Sequence, residues 1–126
     1  MITTEQGPLW YRELLTGQQS DAALASHVDR ILKAQQAAHI VVGHSVLPVI
    51  SPRFGGKVIG IDVGLSVAYK GPPEFLLVEG SRFFVVCRGH RIDFPADGRN
   101  MTQYLRDVFA FDPKNHDLQR LVQLNT

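Results

Sequence analysis

The hydrophobic pattern of this chain changes its period twice, and this change constrains the fold more than any other feature. Within residues 21–36 apolar side chains recur at helical spacing, directly after Ser20, which suits a helix N-cap. Between residues 39 and 94 short runs rich in β-branched and aromatic residues alternate with loops, as in β-strands. After Pro95 helical spacing returns over about residues 100–110. This order predicts an α/β or α+β chain, and α/β is the class adopted below.

The predicted strands are short and are bounded by glycine, proline and polar residues. They cover residues 39–42, 57–62, 74–79, 82–88 and 91–94. Gly80 and Ser81 form a two-residue turn between the third and fourth of these runs, which predicts a β-hairpin. Residues 44–56 and 64–73 are predicted to be loops, and one further short helix is expected near each end of the chain.

Size and charge exclude several classes of protein. A chain of 126 residues with 44% hydrophobic residues fits one compact domain, and it contains no apolar run near the roughly 20 residues of a membrane span. The first residues lack the pattern of a signal peptide, so a cytoplasmic protein is expected. A formal net charge of +1 without a basic cluster argues against nucleic-acid binding.

Two polar residues follow predicted strands and are candidates for a site. Gly43 ends the run 39–42 and His44 stands directly after it, while Asp62 ends the run 57–62. Ligands of open α/β sheets collect at the carboxyl ends of strands, and glycine permits a backbone bend there. His44 can therefore offer an imidazole nitrogen to a metal. Asp62 can either orient His44 or cap its own turn, and the sequence does not separate these roles.

Several motifs in order resemble the C-terminal region of the calcineurin-like metallophosphoesterases. The motifs are GPLWYR at 7–12, VVGH at 41–44, FGGKVI at 54–59, IDVGLS at 61–66 and the hairpin at 76–86. Within that superfamily the chain looks most like the bacterial-type phosphoprotein phosphatases, including the Shewanella-like branch. The resemblance implies the C-terminal half of an αββα sandwich, with a mixed β-sheet flanked by helices. It assigns residues 1–96 to that domain and leaves 97–126 as a C-terminal helical extension.

The resemblance also implies an activity and a metal centre. Members hydrolyse phosphate monoesters, phosphoprotein among them, with two divalent ions of the manganese, iron or zinc type, whose bound water attacks phosphorus. By position His44 would be a metal ligand and Arg12 a phosphate contact, for which the planar guanidinium is well suited. The alternative for Arg12 is a helix-surface residue.

The chain departs from the family in most of its metal ligands. The Asp-x-His, Gly-Asp and Gly-Asn-His motifs and a further histidine are absent, and Val46 stands where many members have a second histidine. One histidine cannot hold two ions. We therefore expect a chain that is inactive alone: a fragment, a split enzyme needing its N-terminal half, or a degenerate relative. The alternative is a non-catalytic interaction module that pairs with itself or with another chain.

The other polar candidates are assigned structural roles. Cys87 lies in a strand-like run and is predicted to be a buried small hydrophobe. Gly55 and Gly56 are predicted to form a turn and not a phosphate-binding loop, because no Lys-Ser or Lys-Thr follows them. The remaining histidines are predicted to be structural or exposed: His27, His39, His90 and His116.

Overall fold

A computed structural model describes residues 20–64 and 73–125, and within these ranges it contains three helices and two three-stranded sheets. The helices are α1 (Ala22–Gln35), α2 (Met101–Phe111) and α3 (His116–Leu124). The strands are β1 (Ile40–Val42), β2 (Ser51–Arg53), β3 (Val58–Gly60), β4 (Glu74–Glu79), β5 (Arg82–Cys87) and β6 (His90–Asp93). Mixed α/β structure is therefore confirmed. Arg12 and the helix predicted near it lie outside the described residues.

Helix α1 forms where the sequence predicted it, although its cap differs. Asp21, and not Ser20, is the N-cap, because its Oδ1 accepts hydrogen bonds from the backbone N–H groups of Ala23 (2.9 Å) and Leu24 (3.2 Å). The apolar stripe of α1 is buried against one face of the first sheet, where Val58 belongs to the same cluster. Burial of this stripe fixes the helix on the sheet.

The first sheet has the order β1-β3-β2 and mixes the two directions of pairing. Strands β1 and β3 are parallel, with Ile40 opposite Val58, whereas β2 and β3 form an antiparallel hairpin. The sequence missed β2, because Pro52 and the glycines after it are typical of a loop. Proline is tolerated here because β2 lies at the edge of the sheet.

The second sheet is an antiparallel meander of order β4-β5-β6. The predicted hairpin is confirmed, with Glu79 opposite Arg82 and the turn at Gly80, whose φ is +61°. Left-handed φ is readily adopted by glycine, which is why the two-residue turn forms at this position.

One hydrophobic cluster joins the two sheets and the C-terminal helices. Ile59 of the first sheet and Val85 of the second are fully buried in it, together with Tyr104 of α2 and Leu118 of α3. Helices α2 and α3 therefore cover a face that both sheets contribute to the core. In the described ranges no helix is long and apolar enough to cross a membrane.

Candidate functional site

His44 lies two residues beyond the end of β1, on the exposed surface. Its backbone is left-handed, with φ of +73°, a conformation that is uncommon outside glycine although enriched for histidine. The positive φ therefore falls on His44 and not on Gly43, where an added Cβ would meet no atom of the described residues within 4 Å. The left-handed residue at this strand end is thus the candidate ligand itself, and the local strain resides there.

Asp62 stands in the equivalent place after β3, the parallel neighbour of β1. The two strand ends are held together by a bond from the Ile61 N–H to the Val42 carbonyl (2.9 Å) and by one from the Leu47 N–H to the Asp62 carbonyl (2.7 Å). The Asp62 side chain accepts a hydrogen bond from the Gly64 N–H at 2.9 Å, so it caps its own turn. Its other suggested role, orienting His44, stays a prediction.

The described residues do not form a metal site by themselves. Within residues 20–64 and 73–125 no group of three or more His, Cys, Asp or Glu side chains could hold an ion. His44 can contribute one ligand, and a stable divalent site needs several converging ligands. The predicted phosphate contact, Arg12, lies in the part of the chain that the structure does not describe.

Other histidines have local packing partners. His39 Nδ1 lies 2.7 Å from the Gly56 carbonyl, and its ring packs 4.7 Å from that of Phe83, so it joins the two sheets. His90 stacks on Phe111 with ring centroids 4.1 Å apart. These contacts agree with structural roles for both histidines.

A buried polar cluster lies inside the core, and the sequence analysis did not predict it. Glu74 is only 1% exposed; its Oε1 accepts a hydrogen bond from the Ile50 N–H (3.1 Å), and its Oε2 has no hydrogen-bond partner among the described residues. Burial, and to a smaller degree the charge of Asp112, raise the pKa of Glu74 to about 7, although the Ile50 hydrogen bond acts in the opposite direction. The sequence did contain a signal for this burial. Glu74 and Leu76 are two residues apart in one strand and therefore lie on the same face, and Leu76 packs on the core.

Cys87 is paired with Glu74 in the β4–β5 register and is fully buried, as predicted. Burial, and then the nearby carboxylates of Glu74 and Asp112, raise the pKa of the thiol to about 11. The thiolate is the nucleophilic form of cysteine, so Cys87 is not suited to covalent catalysis at neutral pH.

Asp112 ends α2 and links the cluster to the surface. Its buried carboxylate lies 3.4 Å from the exposed guanidinium of Arg88 and accepts a hydrogen bond from Asn115 Nδ2 at 2.9 Å. Tyr104 contributes a phenol whose pKa is raised well above its ordinary value by burial and by Glu74. One region that is largely buried from solvent thus contains four acidic groups, those of Glu74, Cys87, Tyr104 and Asp112.

Comparison with known proteins identifies solved structures but no family. No family model matches the chain, and no curated protein matches it. A structure of a cold-active protein tyrosine phosphatase is 29% identical, with a TM-score of 0.60 over 76% of this chain and 28% of that one. A mutant form of a cold-active protein tyrosine phosphatase is 32% identical, with a TM-score of 0.59 over 71% of this chain and 26% of the other.

This chain therefore spans about a quarter of the length of the solved phosphatases that it matches. The expectation of a phosphatase-like fragment is supported at this level. The narrower calcineurin-like family is not identified by either comparison.

Proposed function

We propose that this chain is part of a phosphatase that hydrolyses phosphate monoesters, phosphoprotein included, and that it needs further polypeptide to be active. The observation that carries the proposal is the similarity to the tyrosine phosphatase structures, at 29% and 32% identity over most of this chain. The strand-end motifs around His44 and Asp62, with their resemblance to calcineurin-like phosphoesterases, support the same class. The two small sheets then belong to one half of an αββα sandwich.

The proposed role of His44 is a single ligand to a divalent ion. Its place beyond the carboxyl end of a parallel strand supports this role. The described residues do not offer a complete site, and the proposed source of the remaining ligands is an N-terminal half of the enzyme or a partner chain. Arg12 is the proposed contact for the phosphate oxygens, on the resemblance of its motif alone.

The test compares the chain with two histidine variants. His44→Asn removes the imidazole while keeping a residue that tolerates left-handed backbone, and His116→Asn is a matched change at an exposed histidine of α3. Hydrolysis of p-nitrophenyl phosphate and of a phosphotyrosine peptide is measured with manganese or zinc. It is measured for the chain alone and for the chain mixed with the portion of the cold-active phosphatase that it does not match.

We expect no activity from the chain alone and metal-dependent activity from the mixture, lost in His44→Asn and retained in His116→Asn. Activity of the chain alone that depends on His44 would contradict the claim that it is incomplete. Equal activity of both variants in the mixture would contradict the ligand role of His44.

A specific observation favours the alternative of an interaction module. Val41, Val46 and Ile61 are 51%, 47% and 37% exposed, and all three lie near the carboxyl ends of β1 and β3. Exposed apolar residues grouped at one edge are typical of an interface. A dimer in light scattering that persists in a metal chelator and is lost in Val41→Asp, but not in Val78→Asp on the second sheet, would favour this reading.

A further inference from the structure

The backbone segment Pro48–Ile50 is anchored by three side chains from distant parts of the chain. Asn115 Nδ2 donates a hydrogen bond to the Pro48 carbonyl at 2.9 Å. At Ile50 the N–H donates to Glu74 Oε1 at 3.1 Å, and the carbonyl accepts from the Tyr104 hydroxyl at 2.5 Å. A segment that joins β1 to β2 is therefore fixed by β4, by α2 and by the N-cap of α3.

The two anchors at Ile50 are buried and the Asn115 anchor is partly buried, so the Ile50 anchors are the costlier ones to remove. Val49, Ile50 and Tyr104 are almost completely excluded from solvent. When one partner of a buried hydrogen bond is lost, the other keeps its desolvation cost without compensation. The position of Pro48–Ile50 is consequently much better determined than that of an ordinary surface loop.

His44 lies only four residues before this segment and has the strained left-handed conformation. Strained backbone persists where the surrounding structure fixes both sides of it. Upstream, β1 is held by its pairing with β3; downstream, the Leu47 N–H is bonded to the Asp62 carbonyl and Pro48–Ile50 follows directly. Loosening the downstream anchors would let His44 relax to a more favourable φ.

We propose that Tyr104, Glu74 and Asn115 are positioning residues, which hold His44 in place by fixing the segment Pro48–Ile50. The importance of this positioning for catalysis rests on the proposed function. The coupling between Pro48–Ile50 and the backbone of His44 does not. The C-terminal helices are then a support for the candidate metal ligand, in addition to covering the core.

Glu74 makes this coupling dependent on pH. The groups that face it are Asp112, Cys87 and Tyr104, with Arg88 paired to Asp112 at the surface. Because the pKa of Glu74 is raised to about 7, the carboxyl is neutral in mildly acidic solution and becomes a buried anion above neutrality. A buried anion beside Asp112 favours opening of the cluster to water, which releases the Ile50 anchor.

Amide hydrogen exchange of the chain, measured by NMR, tests the coupling without any phosphatase assay. Tyr104→Phe removes the hydroxyl that binds Ile50 and leaves the ring in the core. Thr102→Val is the matched control, because the Thr102 hydroxyl binds the Asn125 carbonyl (2.8 Å) on the same helical pair, away from the segment. The reporter is the Leu47 amide, which lies between the anchors and His44 and is bonded to none of them.

In Tyr104→Phe we expect exchange at Leu47 to rise by about fivefold or more, the change equivalent to one lost hydrogen bond. The His44 amide and Cα resonances should shift, while exchange at Val28 of α1 stays unchanged. Thr102→Val should leave Leu47 and His44 as they are. Faster exchange at Ile50 with Leu47 within twofold of the native chain would overturn the proposal, because the anchor would then act only locally.

Glu74→Gln decides the case if Tyr104→Phe unfolds the whole chain. Glutamine keeps an acceptor for the Ile50 N–H and cannot ionise. In the native chain Leu47 exchange, corrected for its intrinsic pH dependence, should increase between about pH 6 and pH 8, and in Glu74→Gln it should not. The same profile in both proteins, with Glu74 itself shown to ionise over this range in the native chain, would overturn the proposal. Absence of phosphatase activity would instead contradict the proposed function and leave these results standing.

Discussion

The two hairpins of this chain, β2–β3 and β4–β5, reach similar pairing by different means. Each has a glycine of positive φ in its turn, Gly56 at +87° and Gly80 at +61°. A Cβ at Gly56 would lie 1.5 Å from the Ala96 carbonyl oxygen, whereas a Cβ at Gly80 would meet no atom within 4 Å in the part of the chain that the structure describes. The first turn is therefore shaped by the chain packed against it, and the second by its own local sequence.

This difference explains which strands could be recognised in advance. The β4–β5 hairpin has two long runs of strand-forming residues around a turn that suits them, so its bounds were predicted within one residue. Strand β2 has three residues and contains Pro52. It forms because it pairs with β3 and because Pro52 is buried. Local sequence carries little information about a strand of that kind.

Among the tests of this difference between the two hairpins, the largest change in the free energy of unfolding is expected at the turn glycines. Gly56→Ala should lower the free energy of unfolding by about 4 kcal/mol, since backbone strain and overpacking against Ala96 act together. Gly80→Ala should cost only about 1 kcal/mol, from its left-handed backbone. Urea unfolding of both variants measures the difference, and equal losses would show that the hairpins are not distinct in this way.

The pH dependence of stability tests the place where the two hairpins are joined, the bond from Ile50 to Glu74. The pKa of Glu74 in the folded chain is raised from 4.5 to about 7, so its contribution to stability is fully present below about pH 4.5. It is lost as the pH rises through about 7, by an amount on the order of 3 kcal/mol.

Glu74→Gln lacks this titration and provides the control. The free energy of unfolding of the native chain, minus that of Glu74→Gln, should fall between about pH 4.5 and pH 8 in urea titrations. Parallel pH profiles for the two proteins would mean that Glu74 has an ordinary pKa in the folded chain.

A smaller effect is expected where the C-terminal helices cover both hairpins. Leu118→Ala removes a fully buried side chain from the common cluster and should cost about 2.5 kcal/mol. Leu124→Ala, at a residue 75% exposed in the same helix, should cost less than about 0.5 kcal/mol. A negligible loss for Leu118→Ala would show that α3 is dispensable for the core.

The smallest effect is expected on the surface of the meander. Glu79 and Arg91 form an ion pair of 2.7 Å between side chains that are each about half exposed. Glu79→Gln should change the free energy of unfolding by less than about 1 kcal/mol, and by still less in high salt. A loss of several kcal/mol would mean that this pair matters more to the meander than its exposure indicates.

The sequence was more informative about elements than about the candidate site. The helical period of residues 21–36 and the run after it predicted α1 and β1 closely, because burial of one face imposes a regular spacing. The motif at residues 41–44 placed His44 at a strand end, and β1 does end there. No pattern along the chain indicated that His44 itself would be left-handed.

The buried cluster could not be assembled from the sequence, because its members are brought together by tertiary packing. Glu74, Cys87 and Asp112 come from β4, β5 and the end of α2, and their pKa values depend on desolvation by other elements. The inward phase of Glu74 in β4 was the one local signal. A carboxylate at such a position is unusual enough to mark a buried polar contact.

The complete burial of Cys87 makes the chain a chemical reporter of its own opening. It is the sole cysteine of the sequence, and a thiol-specific reagent cannot reach it in the folded state. When reclosing is faster than labelling, the rate of modification in native buffer follows the population of open molecules. A single mass-spectrometric time course would therefore give the opening free energy of the β5 core without denaturant.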